Sequence, residues 1–281
     1  MGDMPYHNPA DFSRFARLTQ AVNKLNPLFS VHVGDIKSGQ TNCNDAYYYQ
    51  IKEFFMQFNG PLIYTPGDND WTDCNRALAG NYNQQERLQK VRSIFYDGKK
   101  SLGKKPVATY NQSQVKGFDK YVENQYWEHN GVGFGTIHAV GSNNNFIAAR
   151  VDNLEFQERD AANLNWLDYI FDEAERKEQK GIIIFTQAAM NFNADSTSGH
   201  YNLVQKLRTR VEKFKKPVLF VYGDFHRFLI EKPLRAANGK LLTNFTSLMV
   251  FGESEMHAVR IDIDLKKENL FNFSEFWVKG N

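Results

Sequence analysis

The residues best equipped for chemistry in this sequence are acids that follow glycine at the ends of short apolar runs. Ser30-Val31-His32-Val33 stops at Gly34-Asp35, and Leu62-Ile63-Tyr64-Thr65 runs into Pro66-Gly67-Asp68-Asn69-Asp70. Val218-Leu219-Phe220-Val221-Tyr222 runs into Gly223-Asp224-Phe225-His226, and Gly2-Asp3 opens the chain as a fourth copy with no strand ahead of it. Glycine lets the backbone turn sharply, so the next side chain is presented at the strand's end. In an open α/β sheet that end is where ligands bind, so the four pairs are expected to converge on one cleft. Acids, an amide and an imidazole gathered there form a hard oxygen and nitrogen set suited to divalent cations. Any one strand-end Asp can equally be a turn former or a helix cap. The recurrence at successive strand ends is what favours a shared site.

The elements that must position these residues follow from periodicity. A helix is expected after Asp11, with Phe12, Phe15, Leu18, Val22 and Leu25 on one face and Pro27 ending it. Strand Leu28–Val33, a helix near Asp45–Phe58, strand Leu62–Thr65 and a helix near Gln84–Tyr96 continue the pattern of a parallel sheet with crossover helices. Tyr6 to Pro9 is expected to turn, and Asp97–Gly117 to form an exposed loop. Strands near Lys120–Gln125 and Val132–Val140 precede a long helix within Asp152–Lys180. Ile182–Phe185 and Val218–Tyr222 are buried strands flanking a helix at Tyr201–Phe214. Beyond His226, runs at Phe228–Ile230, Leu241–Phe251, Ala258–Ile263 and Leu270–Val278 have no helix between them. They predict an antiparallel sheet packed on the first.

The 281 residues, 42% hydrophobic and 23% charged, have the composition of an ordinary globular protein, and one domain over 1–281 is expected. A net charge of +2 without a basic block carries no nucleic-acid-binding signature. No stretch approaches the roughly 20 apolar residues of a membrane span, and no signal-peptide pattern precedes Gly2. Since the strand before Gly2-Asp3 is missing or shortened, the chain's start does not decide localisation. The only cysteines, Cys43 and Cys74, lie a few residues beyond strand-end Gly-Asp pairs and are either bridged or two free thiols. A bridge would stabilise by roughly 3–4 kcal/mol and favour an exported, periplasmic or extracellular protein. Free thiols would favour the cytoplasm.

As a set, these motifs resemble the calcineurin-like metallophosphoesterases, whose pattern is D-x-H, G-D-x-x-x, G-D-N-H-E/D, a strand-end His and G-H-x-H. The resemblance covers nearly the whole chain, including the Asn163-Leu164-Asn165-Trp166-Leu167 helix ahead of the fourth motif. It implies an α/β (α+β) fold, a four-layer αββα sandwich, with its first strand missing or shortened. It also implies one or two divalent metal ions, drawn from Mn, Mg, Ca, Fe or Zn. By this resemblance Asp3 binds one metal, Asp35 bridges two, Asn69 binds the second and His226 returns to the first. Departures are as specific as matches. Pro5 replaces the first motif's His, Asp70 the catalytic His of the third, Gln187 a ligand His, and Asp224 the first His of the last motif. Asp70, Gln187 and Asp224 offer oxygens, which suit Mg, Mn or Ca better than Zn. The combination of these motifs is similar to a divergent bacterial subgroup.

The activity implied is hydrolysis of a small-molecule or other phosphate mono- or diester by metal-activated water. Asn69 and Asp70 take the catalytic positions, and Asp70 donates a proton only if its pKa is raised. The alternative is a catalytically weak or inactive protein of the same fold that binds a phosphorylated or sugar ligand. Around the site, His32 and His138 are expected to be buried and hydrogen-bonded. His200 lies in a loop, and Asn143, Asn144 and Asn145 either line the substrate side or form a polar turn. Trp71 either stacks on a ligand or is structural. Arg76 and Arg227 have the chemistry of phosphate clamps.

Overall fold

The computed structural model describes residues 1–6, 9–96 and 98–281. His7 and Asn8, in the expected turn from Tyr6 to Pro9, lie outside the described residues, as does Asp97 at the head of the polar stretch.

Strands β1 (Ser30–His32) and β2 (Leu62–Tyr64) pair in parallel, with Val31 opposite Ile63. Helices Pro9–Leu25, Asp45–Phe55 and Gln84–Phe95 pack against them. The first of these starts at Pro9, ahead of the expected Asp11, which lies inside its opening turn and pairs with Arg14 at 3.4 Å. Phe15, Leu18, Phe55, Phe95 and Tyr64 fill the layer between these helices and the strands. A second sheet has seven strands in the order β3-β4-β5-β6-β7-β9-β8, comprising Tyr110–Asn111, Gln125–His129, Val132–Thr136, Gly181–Phe185, Val218–Tyr222, Phe245–Met249 and Leu229–Glu231. Helices Leu154–Arg176 and Tyr201–Phe214 cover its outer face.

Strand side chains alternate between faces, and both faces here are buried. Ile182 and Ile184 of β6 join the core under the outer helices, while Ile183 and Phe185 join a core between the two sheets. The same division places Phe220 outward and Leu219 and Val221 inward on β7. Val31, Val33 and Ile63 meet that inner core from the other sheet. The result is the four-layer αββα arrangement.

Two expectations are corrected. The runs after His226 do not form one separate antiparallel sheet. β9 pairs with β7 in parallel and β8 forms the antiparallel edge beyond it, so both extend the seven-stranded sheet. Only β10 (Ala258–Ile263) and β11 (Phe271–Phe276) make an independent antiparallel pair. A parallel crossover usually carries a helix. The connection from β7 to β9 contains β8 instead, so the absence of a helix did not signal a new sheet. The polar stretch ending at Gly117 is also not all loop, since Lys100 bridges Ala108, Leu102 bridges Leu62 and β3 follows.

Cys43 and Cys74 are joined, with Cα atoms 5.7 Å apart. The bond resolves the open alternative toward the bridge, and a disulfide favours an exported location. Among the described residues no helix is long and apolar enough to cross a membrane.

Candidate functional site

The strand ends do converge. Asp3, Asp35, Asp224 and His226 follow or lie close to three of the Gly-Asp turns, and all have left-handed backbones, with φ of 53°, 53°, 79° and 57°. Non-glycine residues rarely take this conformation, which costs about 1–2 kcal/mol each. Such residues cluster where the surroundings hold them for a purpose. Gly67 is required here by space, because a Cβ on it would run into Asp35 Oδ1.

Asp35 is the hub. Its Oδ1 accepts from the Asn69 backbone N–H at 3.1 Å, and its Oδ2 accepts from Asn69 Nδ2 at 2.9 Å and Gln187 Nε2 at 3.1 Å. The Gln187 amide has a fixed orientation, since its Oε1 accepts from the Gly141 N–H at 2.6 Å. Gln187 therefore turns N–H groups, not its oxygen, toward Asp35. Asp70 is fully buried and accepts four bonds. Its Oδ1 takes the Ile36 N–H at 2.8 Å, and its Oδ2 takes Asp35 N–H at 3.1 Å, Gly67 N–H at 2.8 Å and the Tyr64 hydroxyl at 2.7 Å. It fastens the loop after β1 to the loop after β2.

On the opposite side, Asp3 Oδ1 accepts from the Asp224 N–H at 3.0 Å and lies 3.6 Å from His226 Nε2. Asp3 Oδ2 is buried without a hydrogen-bond partner. Asp224 Oδ2 accepts from the Ala189 N–H at 3.0 Å. Tyr6, which sequence reasoning did not single out, bonds His226 Nε2 through its hydroxyl at 2.9 Å. Ser142, also unforeseen beyond its place in a polar run, donates to Asp68 Oδ2 at 2.6 Å.

Burial dominates the electrostatics. Asp3 and Asp35 are held well above the ordinary carboxylate range by burial, and by neighbouring acids. Asp70 and Asp224 are each pushed up to about 6, in both cases chiefly by burial and against donated N–H bonds. Burial pulls His226 down. Arg227, beside His226, is exposed, and three other nearby cations are engaged. Arg76 pairs with Asp73 at 2.7 Å, Arg159 with Glu155 at 2.7 Å, and Lys37 Nζ donates to the Ser38 carbonyl at 2.9 Å.

The cleft's third wall is a turn over Gly141–Asn144 with an unusual backbone. Ser142, Asn143, Asn144 and Asn145 have φ of 49°, 54°, 57° and 58°, a left-handed turn. Asn tolerates this region best among non-glycine residues, which explains the run of three. Arg159 clamps it, donating to Asn144 Oδ1 at 2.5 Å and to the Asn144 carbonyl at 2.9 Å. Beneath lies a relay in which Trp71 Nε1 donates to His138 Nε2 at 3.1 Å and His138 Nδ1 bonds Glu123 at 2.8 Å. Trp71, His138 and His32 are all buried, and His200 is buried too, with its Nε2 at 3.0 Å from the Val140 carbonyl.

The metal ions implied by the sequence resemblance can be tested against this donor set. Asp3 Oδ2 is a free, buried acceptor, as a metal ligand would be. Asp35, however, has both oxygens engaged by amide N–H donors, Gln187 is held as a donor, and Tyr6 caps His226. Among the described residues no group of three or more His, Cys, Asp or Glu is arranged to hold a metal ion. The donor set does not fit a two-metal centre.

No protein-family model and no curated protein matches the sequence. Solved structures do. GAP50, the anchor in the inner membrane complex of Plasmodium, is similar over 100% of this chain and 88% of its own, at 14% identity and a TM-score of 0.53. A dimetal phosphatase from Danio rerio is similar over 90% and 86%, at 12% identity and 0.51. A 5'-nucleotidase from Candida albicans is similar over 94% of this chain and 46% of its own, at 14% identity and 0.52. At such identities the likeness is one of fold. The chain shares with these structures its four-layer αββα fold, the one the sequence resemblance implies.

Proposed function

We propose that this protein is a catalytically weak or inactive form of the metallophosphoesterase fold whose cleft binds a ligand, a sugar rather than a phosphate ester. The observation that carries the reading is the engagement of Asp35. The residue expected to bridge two metals instead accepts three N–H bonds from Asn69 and Gln187. Fold alone does not choose, since one structural neighbour is described as an anchor and two others as a phosphatase and a nucleotidase.

The charge of the cleft supports the sugar. Phosphate would meet the acids Asp3, Asp35, Asp68 and Asp224, with Arg76 and Arg159 already paired to Asp73 and Glu155, whereas sugar hydroxyls both donate to carboxylates and accept from their protonated forms. Phe225, 62% exposed between Asp224 and His226, offers an aromatic face beside them. The reading predicts that calorimetry with neutral mono- and disaccharides gives binding that chelators leave unchanged. Phe225→Ala should weaken it roughly tenfold, or about 1.4 kcal/mol.

A second reading is supported by one atom, the unpartnered Asp3 Oδ2, and retains metal-dependent hydrolysis with Asp3, Asp35, Asn69, Gln187, Asp224 and His226 as ligands and Asn69 and Asp70 in the catalytic positions. Assays of p-nitrophenyl phosphate and bis-p-nitrophenyl phosphate with Mg²⁺, Mn²⁺, Ca²⁺ and Zn²⁺ separate the two. Turnover abolished by both Asp35→Asn and His226→Ala would replace the binding reading with the enzyme.

A further inference from the structure

Of the four tryptophans, Trp71, Trp127 and Trp166 are buried, whereas Trp277, directly after β11, is 57% exposed. A single exposed apolar ring is ordinary on a protein surface. This one is held in place. Its Nε1 donates to Glu275 Oε2 at 2.7 Å. The buried His257 imidazole meets it in a T-shaped contact with centroids 4.2 Å apart, and the buried Phe251 ring lies 5.5 Å from it. The backbone behind it is fixed as well, since the Val278 N–H donates to His257 Nδ1 at 3.3 Å. A large ring that is both exposed and immobilised has lost its rotamer freedom before any ligand arrives, so stacking on it costs less.

The platform is continuous with the acid cleft. Phe251 stacks on Phe228 with centroids 5.3 Å apart, and Phe228 stands two positions beyond His226. Gly252, next to Phe251, packs on His226 itself, where a Cβ would lie 2.5 Å from the His226 Cβ and Cγ. Glycine is what lets the two segments approach so closely. On its other side His226 meets Tyr6 and Asp3. One residue therefore touches both the cleft and the start of an aromatic row that ends at Trp277. The polar groups along that row include the carboxylates of Glu253, which is half-buried, and of Glu255 and Glu275, which are exposed. An indole face flanked by carboxylate acceptors suits a pyranose, whose C–H face stacks on the ring while its hydroxyls donate at the rim.

We propose that Trp277 is an outer subsite of the cleft, which stacks a second or later ring of an unphosphorylated oligosaccharide whose first ring sits at Phe225 and the acids. The inference rests on the reading of the cleft as a sugar site and adds to it the length of the ligand. A single sugar occupies the inner subsite alone, and a longer chain follows the aromatic row outward past His226. Glu255 and Glu275 then accept hydroxyls of the outer ring, and the bond from Trp277 Nε1 to Glu275 keeps the indole face turned to it.

The experiment titrates the full chain by calorimetry with neutral glucose, mannose and galactose oligomers of one to four rings, and measures acrylamide quenching of tryptophan fluorescence with each at saturation. Affinity should rise roughly tenfold at the length that reaches Trp277. Oligomers of that length should also reduce the quenching, because Trp277 is the exposed tryptophan. Trp277→Ala should bind the longest oligomer no better than the single sugar, and Trp277→Phe, which keeps a stacking ring, should recover most of the gain. Single sugars that bind while affinity stays flat with length, or quenching unchanged under a saturating four-ring oligomer, would overturn the outer subsite and leave the reading of the cleft standing. Binding by no member of the series would remove that reading and the subsite with it. The quenching is read on the native chain, so it decides the matter even where Trp277→Ala fails to fold.

Discussion

A carboxylate accepts about four hydrogen bonds, and Asp70 receives four from Asp35, Ile36, Gly67 and Tyr64. We propose that its role is to position Asp35, holding the turn that carries it. Asp70→Ala would strand those donors in a buried site and lower unfolding free energy by at least about 3 kcal/mol, measured by urea titration. A variant of unchanged stability that lost only ligand binding or turnover would return Asp70 to direct chemistry. His200 gives a pH signature. Burial pulls its pKa from 6.5 to about 4. The unfolded chain therefore binds the proton first as pH falls through 6.5, and the folded state loses stability until about pH 4, where its own imidazole protonates. The shift is worth about 3 kcal/mol. His200→Gln lacks this dependence, so the stability advantage of the native chain over the variant should shrink by about that amount between pH 7 and pH 4. A constant difference would mean that His200 titrates alike in the folded and the unfolded chain.

Among elements, the turns at strand ends were legible from the sequence because Gly-Asp after an apolar run is a local signal. The direction of Gln187's amide was not, since it depends on Gly141, which is distant in sequence and brought near by the pairing of β5 with β6. Tyr6 was hidden for the same reason, as its partner His226 is 220 positions away. The left-handed turn was half visible. Three consecutive Asn suggest a polar turn, but the Arg159 clamp that fixes its hand comes from a helix whose outer residues read only as charged. The disulfide joins the segments after β1 and β2 across 31 positions. Cys43→Ser with Cys74→Ser should lower stability by roughly 3–4 kcal/mol in the chain-entropy account, measured by chemical denaturation of both proteins under oxidising conditions. A difference below about 1 kcal/mol would show that the hydrogen bonds of Asp70 alone hold the two loops.

For the whole molecule, we propose that residues 1–281 form one domain. The core between the sheets draws Val31, Val33 and Ile63 from the first half and Leu219, Val221 and Leu248 from the second. Neither sheet can bury that face alone, so calorimetry should record one unfolding transition. Leu219→Ala, at a fully buried position, should cost about 3 kcal/mol and lower that single Tm by about 5 °C. Two transitions, with only one displaced, would divide the chain into separate units. The bridge between Cys43 and Cys74 has one more consequence at this scale. It locks the side of the cleft that carries Asp35 and Asp70, while Phe225 and His226 stand on a loop with no such tie. The cleft therefore has one covalently braced wall, and a facing one held by the hydrogen bonds of Tyr6 to His226 and of Asp224 to Asp3.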